Sequence, residues 1–161
     1  MINIKIICVG DLKENYLKEM QQEYTKRLSK YCKLEIITLK DEKLPSSLTD
    51  GNVISIKQKE GNIILSKLNT PNSYTFILDE IGKEFNSVEF SNKLQKVATN
   101  GSSTINFVIG GSLGLSDEVR KKGNEIISFS KLTFPHQLIR CFLLEQLFRA
   151  FKIQNNETYH H

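Results

Sequence analysis

The sequence lacks several features that define large classes of proteins. No apolar run approaches the roughly 20 residues that a membrane-spanning helix needs. The start, Met1 to Val9, is too short and too weakly charged for a secretory signal, which favours a cytoplasmic protein. Cys8, Cys32 and Cys141 are odd in number and far apart, with no C-x-x-C motif. We therefore expect free, buried thiols in a reducing compartment rather than disulfides or a metal site.

Metal-binding and nucleotide-binding signatures are also missing. The three histidines are His136, His160 and His161, and none has metal-ligand spacing with a cysteine or a carboxylate. The glycine turn Gly110 to Gly114 does not have G-x-G-x-x-G spacing, and no Gly-Lys-Ser/Thr follows it. Dehydrogenase and P-loop chemistry are therefore not supported, and we expect no metal.

The composition fits one domain, residues 1–161, with enough length for a real core. Of the 161 residues, 39% are hydrophobic and 25% are charged. The net charge is +4, from 22 Lys and Arg against 18 Asp and Glu, which permits an RNA partner without requiring one. The basic side chains of the first predicted helix form either a solvated face or part of an RNA-contacting surface.

Hydrophobic periodicity predicts strands that alternate with helices along the chain. This order is typical of an α/β protein, and we predict a five-stranded, mostly parallel sheet with helices on both faces. Asp79 to Glu84 is predicted as a loop at the end of the third strand. The predicted strands span residues 3–9, 34–39, 74–78, 105–109 and 126–129, and the predicted helices span residues 15–30, 53–68, 87–98, 116–123 and 135–154.

The last predicted helix is apolar over an unusually wide arc. Its polar stripe is limited to Glu145, Gln146, Arg149 and Lys152. Because so small a chain has little core to cover such a helix, we predict that it packs against a second subunit in a two-fold dimer. Arg140 lies within the apolar arc, where a charge is costly unless it is paired or used. It is therefore either part of a structural ion pair or directed at a ligand.

Three segments with unusual sequences follow predicted strands: residues 78–83, 110–115 and 129–136. In an open parallel sheet, ligands bind at the carboxyl ends of the strands. These segments combine apolar side chains with glycine backbone, which suits a flat, partly apolar ligand such as an adenosine. The glycine turn alone is a weak signal, since ordinary turns in α/β proteins also contain glycine.

The motifs in these segments resemble those of a known family. They read L-D-E-x-G-K from Leu78, F-V-I-G-G-S-x-G from Phe107 and S-F-S-K-x-T-F-P-H-Q-x-x-R from Ser128, followed by L-x-E-Q-L-[FY]-R-A-x-K-I and a terminal Tyr-His. Over essentially its whole length, the chain resembles the small SPOUT-class methyltransferases. The matching members are the 23S rRNA (pseudouridine-N3)-methyltransferases, the ribosomal RNA large subunit methyltransferase H family.

This resemblance implies a trefoil knot near the carboxyl end, a homodimer formed through the C-terminal helix, and S-adenosylmethionine as the methyl donor. It also implies binding of the donor in the knot, largely by backbone groups. The implied contacts are Leu78, Gly110, Phe129, Ser130, Lys131, Leu132, Thr133 and Phe134.

The resemblance further implies direct methyl transfer to N3 of a pseudouridine. His136 is the candidate base or proton relay, since its reference pKa lies near neutrality. Arg140 would stabilise charge developing on the base or anchor a phosphate. Tyr159 and His160 would stack on or position the target base, in one subunit or from its partner. The sequence departs from the family at His161, where a basic residue is usual.

Two alternatives remain open at this stage. The first is a non-catalytic, ribosome-associated RNA-binding protein, against which the intact segment from Phe129 to His136 argues. The second is a SPOUT methyltransferase with a different RNA substrate, such as tRNA. With so modest a basic surface, we expect recognition of 23S rRNA in the assembled ribosome rather than as naked RNA.

Overall fold

The computed structural model of the protein describes residues 1–160, so the departure noted at His161 lies outside the described residues. The strands are β1 (Ile2–Val9), β2 (Cys32–Leu39), β3 (Ser73–Glu84), β4 (Thr104–Ile109) and β5 (Glu125–Ser128). The helices are α1 (Asn15–Leu28), α2 (Asp50–Ser66), α3 (Ser87–Thr99), α4 (Asp117–Lys122) and α5 (His136–Gln154).

The strands form one sheet in the order β2-β1-β4-β3-β5, and all neighbouring pairs are parallel. The core on one face joins the sheet to α1, α3 and α5, whereas the core on the other face joins it to α2 and α4. The predicted α/β fold, with a parallel sheet between two helical layers, is confirmed. The trefoil knot stays a prediction.

The central strand β4 is buried along its whole length, because β1 and β3 pair with its edges and helices cover both faces. The ring of Phe107 stacks on Phe76 of β3 at 5.2 Å between ring centroids. Asn106 is a polar exception, and its amide donates a 3.1 Å hydrogen bond to the hydroxyl of Thr75. The Oδ1 atom of the same amide is buried without a hydrogen-bond partner.

The prediction of a loop from Asp79 to Glu84 is wrong, because these residues belong to β3. Leu78 and Lys83 both pair with Ile127 of β5, so the four residues between them bulge out of the ladder. A bulge interrupts the alternation of apolar and polar residues, which is the signal that identifies strands in sequence. This bulge holds Asp79 and Glu80 at the carboxyl edge of the sheet.

Helix α5 is covered largely within its own chain. It packs against α1 and α3 as well as the sheet, and Leu143, Leu144 and Leu147 are completely buried. The premise that a second subunit is needed to cover this helix is therefore wrong, and the homodimer stays a prediction.

Pro135, predicted inside the first turn of α5, is the residue before that turn, since its ψ of 135° is extended. No helix in residues 1–160 is long and apolar enough to span a membrane.

The close contact between β3 and β5 yields a testable expectation. A Cβ added at Gly82 would lie 2.5 Å from the carbonyl carbon of Ile127. Because backbone cannot yield as a flexible side chain can, Gly82→Ala should lower the free energy of unfolding by about 2 kcal/mol in urea denaturation.

The matched control is the same substitution where space is open. At Gly51 in α2 the nearest atom would be 3.9 Å away, so Gly51→Ala should leave the free energy of unfolding unchanged or raise it by about 0.5 kcal/mol. Equal urea midpoints for Gly82→Ala and the unmodified protein would contradict the close packing of β3 on β5.

Candidate functional site

The carboxyl ends of β3, β4 and β5 border a cavity of about 730 Å³. This volume lies within the ~300–1,000 Å³ that is usual for small-molecule sites. Lys131 is exposed and does not line the cavity, unlike the other predicted cofactor contacts. Those that line it are Leu78, Gly110, Phe129, Ser130, Leu132, Thr133 and Phe134.

The glycine turn after β4 forms one wall. Gly114 has φ of +84°, and its N–H donates a 3.0 Å hydrogen bond to the carbonyl of Gly111. A Cβ at Gly110 would lie 2.9 Å from the side chain of Leu115, so glycine is needed there for packing within the turn.

The glycine turn also has the G-x-S-x-G spacing of a hydrolase nucleophile elbow. Within residues 1–160, however, no histidine is hydrogen-bonded to Ser112.

The segment from Phe129 to Phe134 forms a second wall, and its hydroxyl groups hold it in shape. Ser130 N–H donates to the Ser128 hydroxyl at 3.2 Å, and Leu132 N–H donates to the Ser130 hydroxyl at 2.9 Å. The Thr133 hydroxyl donates a 2.8 Å hydrogen bond to Glu80. The serine and threonine pattern noted in the sequence thus fixes the loop conformation.

A second cavity, of about 840 Å³, lies on the other side of this segment. The two cavities share Ile127 to Ser130 and Phe134. Aromatic rings of Phe85, Phe90 and Phe142 line the second cavity, together with polar groups that include His160. One short stretch of chain therefore borders both cavities.

His136 lies at the first cavity, beside the ends of β1 and β2. A Cβ added at Gly10 would be 3.1 Å from its Nε2 atom and 3.9 Å from Cγ of Asp41. The pKa of His136 is below its ordinary 6.5, because burial disfavours the charged imidazolium and Arg140 repels it; Asp41 opposes the shift. The imidazole is therefore neutral at pH 7 and able to accept a proton.

Arg140 is buried, with only 2% of its surface exposed, as its place in the apolar arc predicts. Its guanidinium donates to the carbonyl of Gly10, and its Nε has no partner. Within residues 1–160 it forms no salt bridge, so no carboxylate of these residues supplies the structural ion pair considered above. It does not line the first cavity, and direct contact with RNA stays a prediction.

Tyr159 and His160 fold back onto α5 of the same chain. The Tyr159 hydroxyl donates a 3.1 Å hydrogen bond to Glu145, and Arg149 Nη1 lies 3.2 Å from Nδ1 of His160. Arg149 also pairs with Glu145 at 2.6 Å. Burial, with hydrogen bonding to Tyr24 and the charge of Glu145, raises the pKa of Tyr159, which keeps the phenol protonated.

The structure does not bring all four predicted catalytic residues together. His136 lines the first cavity, His160 lines the second, and Arg140 and Tyr159 line neither. Glu145 and Arg149 were placed in a polar stripe with no contact predicted between them, although their spacing of four residues on a helix indicates a possible ion pair. It also left Arg120 without a role, and no local pattern pairs that residue with Asp79.

Two further features concern metals and thiols. Residues 1–160 contain no group of three or more His, Cys, Asp or Glu side chains placed to hold a metal ion. Cys8, Cys32 and Cys141 are free and buried, as predicted. Burial raises the pKa of each of these thiols, so they remain protonated near neutral pH.

The parallel sheet, the cavity at its carboxyl edge and the motifs that line it define a class of enzyme. The family model described as "Predicted SPOUT methyltransferase" matches residues 2–160. The chain belongs to the SPOUT methyltransferase family, which confirms the predicted class.

The names of individual relatives describe a narrower group than the family model does. The chain is 52% identical to "Ribosomal RNA large subunit methyltransferase H 1" of Clostridium perfringens (strain SM101 / Type A). It is 54% and 48% identical to proteins named "Ribosomal RNA large subunit methyltransferase H" from Pediococcus pentosaceus and Enterococcus faecalis, respectively. Each alignment covers 99% of both chains.

The surroundings of His136 predict how it titrates. Arg140→Met should raise the His136 pKa without restoring 6.5, because burial is the larger cause. Asp41→Asn should lower it further, since that carboxylate favours the imidazolium. Proton NMR titration of the imidazole in the three proteins tests both directions, and a shift of the same sign in both variants would contradict the assignment.

The lowered pKa of His136 makes the stability of the protein depend on pH. The unfolded chain binds a proton at His136 below pH 6.5, before the folded chain does. The contribution of His136 to stability is therefore fully present above pH 6.5 and is lost as the pH falls through the folded pKa.

Proposed function

We propose that the protein transfers a methyl group from S-adenosylmethionine to N3 of a pseudouridine in 23S rRNA of the assembled ribosome, in the cytoplasm. The observation that carries this proposal is the cavity at the carboxyl edge, because the three segments 78–83, 110–115 and 129–136 meet there. Relatives of about 50% identity whose names specify the large-subunit rRNA support the substrate class.

The cavity suits the methyl donor. Leu78, Ile109 and Leu113 supply apolar walls for a flat adenine, and Gly110 leaves the backbone accessible beside them. Arg120 is the permanent cation on the wall, and its guanidinium is already bound to Asp79. A cavity with so little free positive charge favours a nucleoside over a triphosphate.

The proposed chemistry needs a neutral base. S-adenosylmethionine bound here would supply an electrophilic methyl group on a sulfonium centre. N3 of pseudouridine is a poor nucleophile while it carries its proton, so the enzyme must accept or disperse that proton. His136 lies on the cavity wall and is neutral at pH 7, so it can accept the proton directly or relay it.

The second cavity is the proposed site of the target base. Its aromatic walls suit stacking of an unpaired base, and it shares the segment from Ile127 to Ser130 with the donor cavity. Tyr159 and His160, held against Glu145 and Arg149, would then position the base. In the proposed homodimer, α5 packs against the partner subunit.

Methyl transfer to ribosomes tests the function directly. With labelled S-adenosylmethionine and 70S ribosomes that lack the modification, we expect label in N3-methylpseudouridine, identified by mass spectrometry. Free 23S rRNA should be a much poorer substrate. Label in another nucleoside, or a preference for free RNA, would contradict the proposed substrate. Absence of both label and donor binding would favour a non-catalytic RNA-binding protein.

Substitution of His136 tests the mechanism. His136→Ala should lower the single-turnover rate on ribosomes by about 100-fold or more, because removal of a general base costs that much. The calorimetric Kd for S-adenosylmethionine should change little. Gln137→Ala is the matched control, because Gln137 lines neither cavity and its side chain accepts a 2.9 Å hydrogen bond from Lys13 N–H. An unchanged rate in His136→Ala would remove this residue from the mechanism.

A further inference from the structure

Two adjacent carboxylates, Asp79 and Glu80, lie in the bulge of β3 directly after Leu78, and each binds a different wall of the first cavity. Asp79 contacts Arg120 of α4, which follows the glycine turn. Glu80 contacts Thr133 in the segment that borders both cavities. We propose that Asp79 and Glu80 are positioning residues that hold the two walls of the cavity at the spacing that the methyl donor requires.

The bond between Asp79 and Arg120 is the stronger of the two. Both Nε and Nη2 of Arg120 donate to Oδ2 of Asp79, at 2.9 and 2.8 Å. Oδ1 of Asp79 accepts the N–H of Ile81 at 3.1 Å. The Asp79 side chain is only 10% exposed and that of Arg120 25%, so water screens the pair weakly. These groups already bind each other, so they position the cavity wall rather than bind the ligand.

Helix α4 depends on this bond because it is short. Its six residues are too few for a stable isolated helix, so tertiary contacts must hold it. Val119 anchors it to the core, and Arg120 connects it to the end of β3. The glycine turn leads directly into α4, so movement of this helix would change the distance between Gly110 and Leu78.

The bond between Glu80 and Thr133 is more exposed and therefore weaker. It connects the same strand end to the segment from Phe129 to Phe134. The two bonds together join β3, α4 and this segment around one cavity. The proposal rests on the proposed function, since it takes S-adenosylmethionine as the ligand of that cavity.

Arg120→Met tests the stronger bond. The calorimetric Kd for S-adenosylmethionine should rise about tenfold, because the walls are no longer preorganised. The single-turnover rate on ribosomes at saturating donor should stay within about twofold, because His136 and its surroundings are untouched. Arg120→Lys should give an intermediate Kd, since a lysine keeps the charge but not the two-point contact.

The matched control breaks an ion pair of similar burial at the amino ends of the strands, away from the cavity. Lys93 of α3 lies 2.8 Å from Glu125 at the start of β5, and the side chains are 30% and 19% exposed. Lys93→Met should lower thermal stability about as much as Arg120→Met, with the donor Kd within about twofold of the unmodified protein. Equal increases of Kd in both variants, or no increase in Arg120→Met, would overturn the proposal.

A double variant separates the pair from its individual members. Asp79→Asn combined with Arg120→Met should bind the donor no more weakly than Arg120→Met alone, if the two act through their mutual contact. Fully additive losses would overturn the pairing. The proposed function is judged on the unmodified protein: donor binding without methyl transfer would refute the reaction and leave this inference testable, whereas absence of donor binding would refute both.

Discussion

Burial of parallel strands on both faces is the constraint on which the rest of this structure depends. Every residue of β4 is buried, so polar groups along the strand are costly, and Asn106 offsets only part of that cost through its hydrogen bond to Thr75. Parallel strands also bring all their carboxyl ends to one edge. Chemistry is therefore concentrated where β3, β4 and β5 end, and the first cavity forms at that edge.

Much of the fold was predictable because regular elements leave periodic signals. The alternation of strands and helices identified the parallel sheet between two helical layers, and most boundaries differ by a few residues only. The extension of β3 was missed because its bulge places polar residues in succession. The covering of α5 by α1 and α3 was missed because an apolar arc shows that a helix is buried without showing which element buries it.

Only part of the candidate site could be predicted from the sequence, for a physical reason. Residues that form the walls of the first cavity lie in continuous segments, so their motifs can be read directly from the sequence. All of the predicted donor contacts except Lys131 line this cavity. Interactions between distant positions leave no local signal: Arg120 is 41 residues from Asp79, and His136 lies against Gly10 only because β1 and α5 meet. Glu145 and Arg149 lie four residues apart in the polar stripe of α5, and the ion pair between them was not predicted although that spacing permits it.

Arg140 is a buried charge whose contacts lie within the protein. A guanidinium with an unpartnered Nε and no carboxylate partner among residues 1–160 is costly to bury, by several kcal/mol, and packing alone would favour an apolar residue. Its acceptor is the carbonyl at Gly10, where the positive φ of 91° turns the chain away from the sheet. Burial is the larger cause of the lowered pKa of His136, one turn earlier on the helix, and the charge of Arg140 lowers it further. Arg140 thus fixes the end of β1 and helps to keep the imidazole neutral beside the cavity.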